Sequence, residues 1–285
     1  MNLISILIAL ALEFYYKPVH TWRRFDWFHH YTEALHARLA AQSWWDGPLG
    51  VLLVIGSVLF GIWLLDSMLG GVAVIFSQVF AIAVLVLTLG PKDLVQEVEN
   101  AVTAMQQDDS AALRHAAVPL LGEAVLGVTD EELPAALQAT ILLEANRRVF
   151  GVLLWFMLLG PLGAVMFRLS SELALQHRGD DGFARVSRDL YRILIWLPSR
   201  LVVLGFALAG SFVHTLGHLD IMTDFWKQDS ETLLVECGSG ALSHGVTAGE
   251  DAAAEMLAQT LALAKRTLMV WLAVLALATL TGWVL

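Results

Sequence analysis

Residues 144–168 read EANRRVFGVLLWFMLLGPLGAVMFR. A polar knot of Glu144, Asn146, Arg147 and Arg148 leads into about twenty residues without a charge, ending at Arg168. An apolar stretch of that length is a candidate membrane span. Yet Gly160-Pro161 and Gly163 interrupt its middle. Broken backbone at membrane depth persists only where protein or a water-filled cavity satisfies its polar groups. The segment therefore reads as a site as well as an anchor. It either crosses fully or turns back as a re-entrant hairpin.

The rest of the chain agrees with a membrane setting. It is 57% hydrophobic and 15% charged, with a mean hydropathy of +0.66; soluble domains carry roughly 25% charged residues. The formal charge is -10, which argues against a nucleic-acid partner, because phosphate binding needs a basic face. Cys237 is the single cysteine and forms no internal disulfide. Leu3–Leu12 lacks a preceding basic region and a cleavage site, so it reads as a retained segment.

The expected fold is all-α: a polytopic integral membrane protein with broken or re-entrant helices and membrane-apposed cytoplasmic helices. It reads as a single membrane domain over 1–285. Spans are expected at about 49–68, 71–90, 150–168 (broken), 193–213 (interrupted by Pro198 and Arg200) and 267–285. A short apolar segment covers 3–15, and a helical polar insert covers 91–149. By the positive-inside rule, the basic flanks 16–47 and 91–149 lie in the cytoplasm and the turn 66–71 faces outward. Residues 169–192 carry Arg178, Arg185, Arg188 and Arg192. They stay inside only if the broken segment is re-entrant. Trp22, Trp27, Trp44 and Trp45 read as interfacial anchors.

Within the insert, Leu94, Val98, Val102 and Met105 mark the apolar face of a helix over 92–107, with Glu97 off that face. Asp108-Asp109-Ser110 reads as the cap of the next helix. Thr129 and Glu132 have capping-box spacing. Residues 215–265 read as a loop plus a helix over 250–266, with CGSGALSHG (237–245) as a flexible connector rather than a phosphate cradle.

Several polar residues invite a functional reading. His214 and His218 share a helix face at metal-ligand spacing but lack a general-base Glu between them, which makes them a weak metal candidate. His29-His30 point different ways on a helix and are weaker. Arg185, Arg188 and Arg192 form a basic stripe, suited to lipid headgroups or to an anion. Arg168 and Arg200 sit at or inside apolar runs, where an ionisable group is expensive and marks function, pairing or snorkelling. Glu13 has Lys17 one turn on as a pairing candidate.

Residues 137–176, with Asn146, Arg148, Trp155-Phe156 and the glycine-rich break, resemble the central region of the AmpE family, inner-membrane proteins associated with regulation of chromosomal β-lactamase. Residues 194–210, with Pro198 and Arg200, resemble its second signature, and Ala264-Lys265-Arg266-Thr267 its C-terminal block. AmpE is similar in turn to the CobD/CbiB synthases, which join a corrin carboxylate to an aminopropanol derivative with ATP. Gly163-Ala164, Phe167-Arg168 and Pro198-x-Arg200 resemble two of their motifs. The departures lie in the acids. Ser171-Glu172-Leu173-Ala174 stands where the synthases have Asn-Thr-Leu-Asp, Tyr191-Arg192 replaces an acidic pair, and only Lys17-Pro18-Val19-His20 remains of an early motif. Metal-dependent ligation needs such carboxylates.

The resemblance implies a multi-pass protein of the bacterial inner membrane that modulates β-lactamase induction and cell-wall stress signalling, a matter of antibiotic resistance. It would bind an anionic ligand (a nucleotide, a lipid headgroup or a muropeptide) through Glu144, Asn146, Arg148, Arg168, Arg200, Arg185 and Arg188, with no catalytic residue, metal or resident cofactor. Lipid and other membrane or cell-wall-recycling proteins are the expected partners. The alternatives are a synthase-like amide-forming enzyme of corrinoid metabolism and a scaffold without a ligand.

Overall fold

The computed structural model describes residues 2–15, 25–42, 44–72, 74–89, 94–107, 109–177, 179–216, 224–242 and 252–280. They form α-helices joined by short turns, with no strand among the described residues. In chain order the helices are α1 (Asn2–Tyr15), α2 (Asp26–Leu39), α3 (Pro48–Val72), α4 (Val74–Thr88), α5 (Leu94–Gln106), α6 (Ser110–Leu121), α7 (Leu133–Ala145), α8 (Gly151–Gln176), α9 (Gly182–Ala209), α10 (Phe212–Leu216), α11 (Asp224–Lys227), α12 (Ser230–Leu242) and α13 (Ala252–Leu280). A π-turn, Asn146–Phe150, joins α7 to α8. Among the described residues, four stretches are long and apolar enough to cross a membrane: Pro48–Gly71, Leu133–Gln176, Gly182–Ala209 and Ala252–Leu277. This is the composition of a polytopic membrane protein.

The chain divides into two compact units. The first comprises Met1–Pro91, Gly151–Trp196 and the last residues; the second comprises Lys92–Phe150 and Leu197–Thr281. The core of the first gathers Phe28, Trp45, Val54, Val165, Leu169 and Phe183. The outer faces of α3 and α4 stay apolar and exposed, with Phe60, Trp63, Ile75 and Val79 among them. That is the pattern of helices solvated by lipid.

α8 carries the break that the sequence announces. Gly160 has φ 65° and ψ -151°, outside helical space, and Pro161 follows. In a straight α-helix the 16 positions from Gly151 to Phe167 would span about 24 Å. Instead, a Cβ on Gly151 would collide with the Phe167 ring, and one on Gly163 with the Trp155 carbonyl. The contacts 151–167 and 155–163 are those of two antiparallel limbs. α8 is therefore a helical hairpin with its tip at Gly160, as the re-entrant alternative requires. Trp155 Nε1 fastens the outgoing limb to α9 by donating to the Leu194 carbonyl at 2.9 Å. That carbonyl is the one Pro198, four residues on, leaves without a helical N–H.

Several sequence expectations are corrected. Trp45 is no interfacial anchor: it is fully buried, stacks on Phe183 (centroids 5.3 Å apart) and donates Nε1–H to His36 Nδ1 at 2.8 Å. With its N–H satisfied, the indole is free to enter the core. Trp27 and Trp44 remain exposed, and Trp22 lies outside the described residues. Leu94, Val98, Val102 and Met105 do pack into one core cluster, and the most buried face of α5 also includes Glu97, Ala101 and Ala104. Thr129 and Glu132 do bond, Oγ1 to Oε2 at 2.8 Å, but they form a turn ahead of α7, which starts at Leu133 with Pro134 in its first turn. Gly238-Ser239-Gly240 is not a connector: it lies inside α12. A Cβ on Gly238 would stand 2.5 Å from Leu142 Cδ1, and one on Gly240 2.7 Å from the His214 carbonyl. These glycines are there for close helix packing. Asp109 does cap α6, accepting from Ala112 N at 2.9 Å. Glu13 lies on α1, while Lys17 and Arg178 lie outside the described residues.

Candidate functional site

In the second unit the polar knot is an ion network. Arg148 is 6% exposed and pairs with Glu144 one turn back and with Glu97 on α5 at 2.9 Å. Arg147 also reaches Glu144, through Nη2 at 2.7 Å. Two acids and two bases balance within it. A buried carboxylate or guanidinium is tolerated only when paired and hydrogen-bonded in this way. The π-turn carries it: Asn146, Arg147 and Arg148 all fall on the wide turn 146–150, and such π-bulges recur at functional sites. Asn146 is fully buried and donates Nδ2–H to Ser199 Oγ at 3.0 Å, while its Oδ1 has no hydrogen-bond partner.

Arg200, in the same unit, is 3% exposed. Its Nε donates to the Phe225 carbonyl at 3.2 Å, and its terminal nitrogens to the Gln228 carbonyl and Ser230 Oγ, each at 2.6 Å. It clamps the turn between α11 and α12. Neither snorkelling nor an exposed anion site describes it. Cys237 lies on α12 nearby in sequence, and burial pushes its thiol up to about 12, with Glu236 adding to the shift. It is an inert core group.

Arg168 belongs to the first unit. It sits on the return limb of the hairpin, 2% exposed, and pairs with Glu172 one turn on at 2.7 Å. Its guanidinium carbon lies 5.1 Å from the Phe25 ring centroid, within cation–π range. Glu172 in turn has His29 Nε2 at 3.9 Å, whereas His30 points outward to Glu33. Arg185 and Arg188 turn onto the backbone of the turn that precedes α9: Arg185 onto the Asp180 carbonyl, Arg188 onto the carbonyls of Gly179 and His177. Arg192 stays exposed beside Asp189. His177 in that turn has its pKa lowered, mainly by burial. His214 lies on α10, while His218 lies outside the described residues.

The sequence reading missed Glu97, Glu172, Ser199 and Ser230 as partners. Glu172 was findable, standing four residues after Arg168 on a helix. Glu97 was not, because it meets Arg148 across 51 residues.

Magnesium-dependent ligation would need carboxylates facing a ligand. Glu97 and Glu144 face arginines inside the unit, and Glu172 faces Arg168. Among the described residues no group of three or more His, Cys, Asp or Glu is placed to hold a metal ion. Among the described residues, the carboxylates of this network are thus already engaged by arginine.

Fold and polar network together define a polytopic helical membrane protein with a broken helix folded into a hairpin and internally paired arginines. The model of the CobD/Cbib protein family matches residues 6–234, and the chain belongs to that family. It is 24% identical over 172 residues to the cobalamin biosynthesis protein CobD of Stutzerimonas stutzeri (strain A1501), covering 59% of this chain and 56% of that protein. It is 25% identical over the same length to the CobD of Chromobacterium violaceum, covering 59% and 54%. The chain thus spans little more than half the length of these curated relatives. No solved structure matches it. The AmpE side of the resemblance rests on the residues quoted for it alone.

Proposed function

We propose that this chain is a synthase-like component of cobalamin biosynthesis in the bacterial inner membrane. It would bind the carboxylate-bearing corrinoid of its family's reaction without performing the metal-dependent ligation. The observation that carries the reading is the family match over 6–234, a stretch that contains Gly163-Ala164, Phe167-Arg168 and Pro198-x-Arg200. The separation of binding from ligation rests on the carboxylates. Those of the network are paired with arginine, and the acids of the synthase motifs are replaced. The arginines would act as positioning residues. Deleting the gene from its own host should lower cobalamin-dependent growth, while expressing it in a strain that lacks the synthase should not restore growth. Unchanged growth after deletion would sink the reading.

A second reading, a modulator on a retired enzyme scaffold, rests on the residues quoted for the AmpE resemblance, with Arg148, Arg168 and Arg200 engaged within the fold. In that case deletion leaves cobalamin-dependent growth intact and changes β-lactamase induction.

A further inference from the structure

The first unit holds an apolar cleft of about 180 Å³ against α3, α4 and the return limb of α8. Val58, Ile62, Val84 and Leu87 supply much of its wall, and Trp27 and Arg168 also line it. Size narrows the occupant. Small-molecule sites run to about 300–1,000 Å³, so a corrinoid or nucleotide is too large. An apolar cavity of roughly 150 Å³ stays dry and accepts a benzene-sized hydrocarbon, so water is a poor occupant and an alkyl chain a good one.

The rim says where such a chain comes from. Leu87 is 43% and Trp27 52% exposed. Leu87 lies on α4, whose exposed apolar face continues through Val79 and Phe76. The cleft therefore opens onto the lipid-facing surface. Arg168 says what the chain carries. A guanidinium only donates hydrogen bonds, so a polar atom that meets it must be an acceptor. Glu172 already balances its charge, so the site reads a chain and an acceptor oxygen, not a net negative head.

We propose that this cleft binds a segment of one acyl chain of a bilayer glycerolipid, with an ester or phosphate oxygen of that lipid accepting from Arg168. The return limb of α8 then packs against a structural lipid. The test uses the full chain in nanodiscs of equimolar phosphatidylglycerol and phosphatidylcholine, released gently for native mass spectrometry. The wild type should retain one lipid, drawn from both classes. Leu87→Trp and Val58→Phe, which fill the cleft from two walls, should lose it. Leu53→Trp, at an exposed α3 position outside the cleft, should keep it. On the wild type alone, excess octanoate should displace the lipid and glycerol phosphate should not. A bare wild-type chain, retention by both filled variants, exclusive retention of one lipid class, or displacement by glycerol phosphate instead of octanoate would each overturn the proposal.

Discussion

Replacing Gly160 by Ala isolates the hairpin from every other feature. At φ 65° and ψ -151° the backbone lies in a region essentially reserved for glycine, where another residue costs about 1–3 kcal/mol. A Cβ at 160 would meet nothing within 4 Å, so packing adds no second term. The lost freedom of the unfolded chain offsets about 0.4–1 kcal/mol of the strain. Net destabilisation should then be about 0–2.6 kcal/mol, and about 1.3 kcal/mol at the middle of both ranges. Gly61 is the matched control: its Cβ also meets nothing within 4 Å, but it lies inside the regular helix α3. There Gly→Ala should stabilise by about 0.5–1 kcal/mol. Reversible unfolding in mixed micelles, followed by circular dichroism against detergent composition, reads both. The two substitutions should have opposite signs. If α8 were a straight rod, Gly160→Ala would stabilise as Gly61→Ala does, and that result would refute the hairpin.

Removing Glu97 by Ala substitution strands Arg148 beside a single acid and should cost about 3–5 kcal/mol; the double replacement Glu97→Leu with Arg148→Met should recover most of that in the same unfolding assay, and no recovery would contradict the pairing. Arg200→Lys keeps the charge but loses the fork that holds the Phe225 and Gln228 carbonyls, so limited proteolysis should cut faster between α11 and α12; an unchanged cutting rate would argue against the clamp. With its thiol at about 12, Cys237 should resist maleimide at neutral pH until the chain unfolds, and labelling at the rate of a free thiol would contradict its burial. His177 has a folded pKa below its unfolded one, so the unfolded chain takes up the proton first. Its contribution is fully present above pH ~6.5 and declines as pH falls from there towards the folded pKa. His177→Phe should weaken that acid sensitivity, and an identical pH profile would count against it.

The membrane class and the break at Gly160-Pro161 were legible because length, apolarity and backbone chemistry are local. Closure of the hairpin was not, since an apolar run with one break suits a kinked crossing equally well. Its signature is the pair Gly151 and Gly163, small residues where the limbs touch Phe167 and Trp155. Gly238 and Gly240 misled for the same reason: a glycine run means looseness or close approach depending on what lies opposite. The arginines were rightly singled out as costly at depth, but their partners are set by tertiary pairing. Only Glu144 and Glu172 stand one turn away. Trp45 shows the limit of the aromatic-belt rule, because His36 takes the N–H that would have held the ring at the interface.

The most direct test of the functional account is a titration of the purified full chain in nanodiscs with the corrinoid that carries the free carboxylate, cobyric acid, followed by visible absorption of the corrin. The account predicts saturable binding that needs no magnesium or ATP and forms no amide product. No binding at any corrinoid concentration would contradict it, as would amide formation on adding magnesium, ATP and aminopropanol phosphate.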